Sequence, residues 1–448
     1  MRRTLLVPFL IVMLLVAACR PAQETPEVAE APAGPVRPAD CPPPGTCPGS
    51  SCLDSITFAA ATVPADACPR FGEFQGDVDI FSWNEFIALN WPADPSKCAG
   101  TDQKSIVDVR SGDGSIAVWQ TYMPAERVFV DPKKSKPAAW CSGNGLTGNG
   151  MRELPHIAKA SPHAARLGAH FAAIAQPGKD VLEAAGGVLT DHGLKDGKGG
   201  RWVRYERLMN LDEYRTIVDR GWWNKAGLKG QTVVLPSTPT GAVEIKSAWK
   251  VLTPAEVSGG RYFTTRATVF NTPAGAPSPG PNPVTLGLVG LHIIHKTESA
   301  SNFFWSTFEH VDNDQVFFDP KSNAAPNKQT AKQPYVELNP DGTPRNPGVQ
   351  VKRLHPITGP EPINAYYQQL LGQSVFRNYK LISTQWTTGG APQGTPAWVA
   401  NITLETYVQD LSVPHGQTQL TGCFACHMNA KTSIGTDGDH SFLFLEAQ

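Results

Sequence analysis

The chain lacks a dominant charge: 39 Lys and Arg stand against 40 Asp and Glu, for a net charge of −1. Such balance supplies no field that would draw it to nucleic acid or to an anionic membrane surface. It also lacks the short motifs of several enzyme classes. No G-x-S-x-G, no P-loop and no H-E-x-x-H occurs, nor a dinucleotide fingerprint set between a strand and a helix, so hydrolase, nucleotide-binding and zincin readings have no support. After residue 19 no apolar run is long enough to cross a bilayer. Methionine is scarce, 6 in 448 residues, and none follows Met428. No internal repeat is found. Glycine and proline are abundant instead, 41 and 40 residues, which points to many turns and short strands.

The first residues describe an export signal. Arg2 and Arg3 precede the apolar run Leu5 to Val16, and Val16-Ala17-Ala18-Cys19 closes it with small residues. A basic start, a short apolar middle and a small-residue cut read as a signal peptide over residues 1–18. Small residues directly before Cys19 resemble the lipobox of bacterial lipoproteins, which implies a lipid on that cysteine and a membrane anchor. Residues 19–70, with the Pro42-Pro43-Pro44-Gly45 cluster, cannot bury much apolar surface and read as a Pro-rich tether.

The body is expected over residues 71–448, with a possible split near residue 200. Asp79 is placed to cap a helix showing Trp83, Phe86, Ile87 and Asn90 at helical spacing, and Pro92 ends it. Val243, Ile245, Ser247, Trp249 and Val251 alternate with Glu244, Lys246, Ala248 and Lys250, the period-two pattern of a strand with one wet face. Residues 261–271, 284–296 and 302–311 are rich in aromatic and β-branched types and read as an antiparallel meander, joined by loops at 272–283 and 297–301. Residues 320–350 read as a surface excursion, 363–372 as a helix, 380–386 as a strand, and 401–410 fits either. The expected class is therefore α+β and β-rich, an antiparallel sheet body with peripheral helices.

Near the end stands Cys423-Phe424-Ala425-Cys426-His427. C-x-x-C-H is the spacing that attaches a c-type haem: two thiols become thioethers to the porphyrin and the adjacent imidazole becomes an axial ligand of the iron. With 9 Cys and 11 His in 448 residues, chance placement gives the pattern at roughly 1 in 100,000 per position. At this pentapeptide the chain resembles c-type cytochromes, and with its export signal it is similar to exported bacterial mono-haem cytochrome c family proteins. The resemblance implies Cys423 and Cys426 as attachment points, His427 as proximal ligand, one covalent haem c with its iron, and the bacterial periplasm as compartment, because such haem is fixed on the outer side of the cytoplasmic membrane. It covers a few per cent of the chain and leaves the fold of the rest to the residues themselves. In that oxidising compartment Cys41, Cys47, Cys52, Cys68, Cys98 and Cys141 can form up to three disulfides, with 15 pairings open.

The second axial ligand is the open question. Met428 adjoins His427 and cannot reach the opposite side of the porphyrin. The remaining sources are His440, an upstream histidine, or water. His292 and His295 lie on an apolar strand, on opposite faces by alternation, and His292 is favoured as the upstream metal ligand. Glu309 and His310 sit side by side at a strand end and also alternate. His156, His163 and His170 recur at sevens, but Pro155 and Pro162 break any single helix through them. The reading reached is an electron carrier working with redox partner proteins in the envelope. Its alternatives are a haem-dependent oxidoreductase with an open distal site served by His310 or Glu309, and an envelope binding protein with an accessory haem.

Overall fold

Between Val78 and Leu89 apolar residues fall on every side of the helical wheel, and a helix that is apolar all round must be covered all round. The computed structural model describes residues 62–67, 75–141, 152–154, 204–269, 284–300, 302–313, 360–388, 391–393, 401, 403–404, 423–428 and 430–448. In it α1 runs Gln75–Leu89 and buries Val78, Phe81, Trp83, Phe86 and Leu89 alike. The helix begins one turn before the expected cap. Asp79 lies inside it, with its buried carboxyl accepting from Gln75 Nε2 at 2.8 Å, and burial pushes that carboxyl up to about 7. Gln75 supplies the donor that lets an acid sit in the second turn.

The sheet has nine strands among the described residues. They are β1 (Met123–Pro124), β2 (Arg152–Leu154), β3 (Arg204–Met209), β4 (Val243–Val251), β5 (Thr264–Val269), β6 (Val284–His295), β7 (Phe304–His310), β8 (Tyr379–Thr388) and β9 (Ala391–Gln393). The order is β9-β8-β7-β6-β4-β3-β1, with β5 against the first part of β6 and β2 against β5. All pairs are antiparallel except β2 with β5. The meander read from sequence is present as β5-β6-β7. The class is mixed α+β with the sheet prominent, and strands from both sides of residue 200 share that sheet, since β1 pairs with β3.

Alternation sends β-sheet side chains to two faces. On one, the helix face, Leu208, Ile245, Leu291, Ile293 and Phe308 meet α1 and α3 (Glu361–Leu370). Phe86 stacks on Phe308 at 4.3 Å and Trp83 on Tyr367 of α3 at 5.0 Å. Several polar groups here are tied. Ser82 Oγ reaches Ser306 and Thr384, and Asn364 receives the Trp83 indole N–H while bonding both the N–H and C=O of Leu381. On the other, the tail face, Met209, Ile294 and Trp305 meet the C-terminal Phe424, Leu443 and Phe444, with α2 (Leu211–Asp219) alongside.

The wet face expected on β4 is not wet. Glu244, Ala248 and Lys250 are all buried, because this central strand is covered on both sides. Lys250 pairs with Glu256, so its charge is met within the fold. Gly290 on β6 is required by the same covering. A Cβ there would stand 2.3 Å from Thr403 Oγ1, so only glycine admits the 401–404 segment. Residues 62–67, inside the segment read as tether, already touch the body, with the buried Asp66 accepting from Ser299 N at 3.0 Å. Cys98 and Cys141 form a disulfide, and Cys41, Cys47, Cys52 and Cys68 lie outside the described residues, as do the signal segment, Cys19, His156, His163, His170 and the 320–350 excursion. Among the described residues no helix is long and apolar enough to cross a membrane.

Candidate metal centre

The C-x-x-C-H segment is a single helical turn, α4 (Cys423–His427). Helical spacing puts positions 423, 426 and 427 on one side of that turn. Its start is docked on the sheet, where Cys423 N–H donates to Gln385 Oε1 of β8 at 2.7 Å. Phe424 is buried and packs against Trp305 of β7 at 5.8 Å between ring centres. The chain then folds back: Thr432 and Thr436 close a turn through their backbones and hydroxyls, and Gly438 N–H donates to Ala430 O. A Cβ on Gly438 would lie 2.8 Å from the carbonyl of Ser441 and 3.2 Å from that of Ala430, so this return needs glycine.

The return delivers the His440 carbonyl to the imidazole of His427. Nδ1 of His427 donates to it at 2.7 Å. A carbonyl only accepts, so the proton sits on Nδ1 and the lone pair of the neutral ring is on Nε2. A metal-binding histidine is commonly oriented in this way, its second nitrogen held by an oxygen. Asp439 and His440 both take left-handed backbone, φ +52° and +65°, which residues with a Cβ adopt rarely and at a cost. Strain of this kind is held where a backbone group must be aimed, and here the group aimed is the acceptor for His427.

Trp305 stands at the centre of an aromatic cluster. Its ring lies 6.0 Å from His427 and 6.1 Å from His440, while Phe442 is 4.9 Å from His427 and Phe424 5.6 Å from His440. Two polar atoms in the cluster are buried without a hydrogen-bond partner, the Trp305 indole N–H and His440 Nδ1. Burial pushes the His440 imidazole below its ordinary range. Since His427 turns Nδ1 toward the His440 backbone, His440 stands behind the ring and Nε2 points away from it.

The other histidines fall where alternation puts them. His292 lies on the tail face, half-buried, opposite Lys246 and Thr307 and one pleat repeat from Ile294, the partner of Trp305. His295 is on the helix face, its Nδ1 against Glu85 and its Nε2 2.6 Å from the Thr240 carbonyl. Burial opposes charge on this ring, and the Glu85 carboxylate and Thr240 carbonyl outweigh it and raise its pKa. His310 also faces the helices. It stacks on Tyr262 at 4.1 Å, accepts from Asp312 N and contacts Arg261 O, and burial lowers it to about 4. Glu309, its neighbour, is buried on the tail face, so the two never meet at one ligand. Met428 is exposed beside His427. Cys426 belongs to α4, and its side chain lies outside the described residues.

Sequence reasoning missed a second feature of this face. Glu213, in the first turn of α2, and Glu244 of β4 are both buried and face one another beneath the tail, where Ser441 bonds Glu244. Glu213 carries no signal beyond its place after the N-cap Asn210, and the alternation of β4 predicts a solvent-facing Glu244. Trp305, the hub of the aromatic cluster, was one apolar residue in a strand.

No protein-family model matches the chain, and no curated protein and no solved structure is similar to it. Among the described residues no group of three or more His, Cys, Asp or Glu is arranged to hold a metal ion directly. A haem requires less of the protein: two thiols and one imidazole with its Nε2 lone pair available. The Nδ1-protonated tautomer of His427 puts the ring's lone pair on Nε2, and helical spacing puts positions 423, 426 and 427 on one side of the turn.

Proposed function

We propose that this chain is an exported, lipid-anchored mono-haem c-type cytochrome that passes single electrons between redox partner proteins in the bacterial envelope. The observation that carries the reading is the C-x-x-C-H turn whose histidine has Nδ1 bonded to the His440 carbonyl. Cys423 and Cys426 would supply the thioether sulfurs, and His427 would supply Nε2 to iron. His440 acts through its carbonyl, holding the ring in the ligating tautomer and raising its basicity. Trp305, Phe424 and Phe442 wall the site from water on the sheet side. The haem, when bound, supplies one-electron chemistry at iron. His292 is the upstream histidine on the same face and would supply a second nitrogen to the iron. The signal-like sequence of residues 1–18, ending before Cys19, supports a periplasmic protein with a lipid on that cysteine.

Support for a carrier over an oxidoreductase comes from His310, which packs into the helix face rather than toward the tail. The test is the optical and electron-spin spectrum of the purified protein. A low-spin iron, slow to bind carbon monoxide, that turns high-spin in His292→Ala is expected. A high-spin iron that binds peroxide rapidly would replace the carrier by an oxidoreductase with an open distal position.

A further inference from the structure

The carboxyl pair Glu213 and Glu244 is the best-defined chemistry outside the attachment turn. Neither side chain is more than 7 % exposed. Of their four carboxyl oxygens, both of Glu213 and Oε1 of Glu244 have no donor other than the facing acid. Two ionised carboxylates cannot face each other in a dry site without donors, so the only available remedy is a proton held on the pair. Burial is the main influence raising both acids, Glu244 to about 7, with each carboxyl acting on the other.

The surroundings connect this pair to the proposed haem segment. Ser441 bonds Glu244, and Asp439 lies close enough to act on both acids, while accepting from Lys296 Nζ and from Leu235 N at 2.6 Å. Residues 439 and 441 flank His440, whose carbonyl holds His427. The other charged groups facing the pair are Lys296 at the end of β6 and Arg207 of β3, the latter paired with Glu446. One strap of three residues therefore touches the proximal histidine on one side and the buried acids on the other.

We propose that Glu213 and Glu244 form a proton-storage site whose occupancy follows the oxidation state of the haem iron. The inference rests on the haem reading above. When an external one-electron donor reduces ferric to ferrous iron, the centre gains one negative charge. The pair then takes one proton from solvent, passing from one shared proton to one on each carboxyl. Reoxidation returns the electron to an acceptor and the proton to solvent, and charge balances in both directions.

The experiment is spectroelectrochemical titration of the haem-loaded full chain across neutral pH, with the infrared carboxyl band recorded in oxidised and reduced protein. The midpoint potential should fall as pH rises, by up to about 59 mV for each tenfold drop in proton concentration. Glu244→Gln and Glu213→Gln, conservative changes on different elements, should each flatten that slope and remove the redox-dependent carboxyl band. A haem-loaded wild type with a pH-independent potential and no carboxyl band overturns this inference alone. So does an unaltered slope in both variants. A protein without covalent porphyrin overturns the haem reading, and this inference with it.

Discussion

The two faces of one sheet satisfy buried polarity to different degrees. On the helix face most polar groups are matched: Ser82 with Ser306 and Thr384, Asn364 with Trp83 and Leu381, His295 between Glu85 and Thr240, with Glu85 Oε2 and Trp386 Nε1 left over. On the tail face Trp305 and His440 each keep a buried polar atom without a partner, Glu213 and Glu244 face one another with carboxyl oxygens that no other group donates to, and Phe303, Asp439 and His440 hold left-handed backbone. Unmet buried polarity costs on the order of 1–3 kcal/mol per group. A fold that meets most of it on one side and leaves more of it on the other concentrates unmet polarity on the face that carries the C-x-x-C-H turn.

That contrast can be broken most severely at α4. Replacing Cys423 and Cys426 together by Ser should abolish covalent haem, read by haem staining of a denaturing gel, while the helix face keeps its far-UV dichroism. On the opposite side Trp83→Ala, which empties a fully buried ring stacked on Tyr367, should cost about 3–5 kcal/mol in denaturant unfolding and leave the haem spectrum unchanged. A spectrum that shifts with Trp83→Ala would erase the distinction between the faces.

A smaller effect tests the acids. Glu244 is raised toward 7 by burial, so the folded state binds its proton more tightly than the unfolded chain does. Its contribution is therefore fully present at acidic pH and is lost as pH rises from the ordinary carboxylate range through about 7. The melting temperature should decline over that window, and Glu244→Gln should decline less. The smallest effect is expected of His440→Ala, because the group holding His427 is a backbone carbonyl. Haem content and spin state should persist, whereas a loss equal to that of His427→Ala would make His440 an axial ligand.

Much of the helix face was legible in the sequence because local signals and tertiary packing agree there. The aromatic spacing of α1, the alternation of β4 and the β-branched runs of β5 to β7 each specify one element. The C-x-x-C-H turn stands out in the sequence for a different reason, that its spacing is the local covalent requirement of the haem proposed above. What escaped depended on distant covering. Glu244 reads as wet until the tail and α2 close over it, and Asp79 reads as a cap until Gln75 extends the helix. Nothing near Trp305 in sequence shows that two histidines more than 100 residues away will pack on its ring.

The central claim is that a porphyrin is joined to this chain at two sulfurs. Intact-mass measurement of the mature protein, made in a host that attaches c-type haem and followed by peptide mapping, tests it directly. The account predicts one haem added, located on the peptide that contains Cys423 and Cys426. An unmodified mass with both thiols open to alkylation would contradict it.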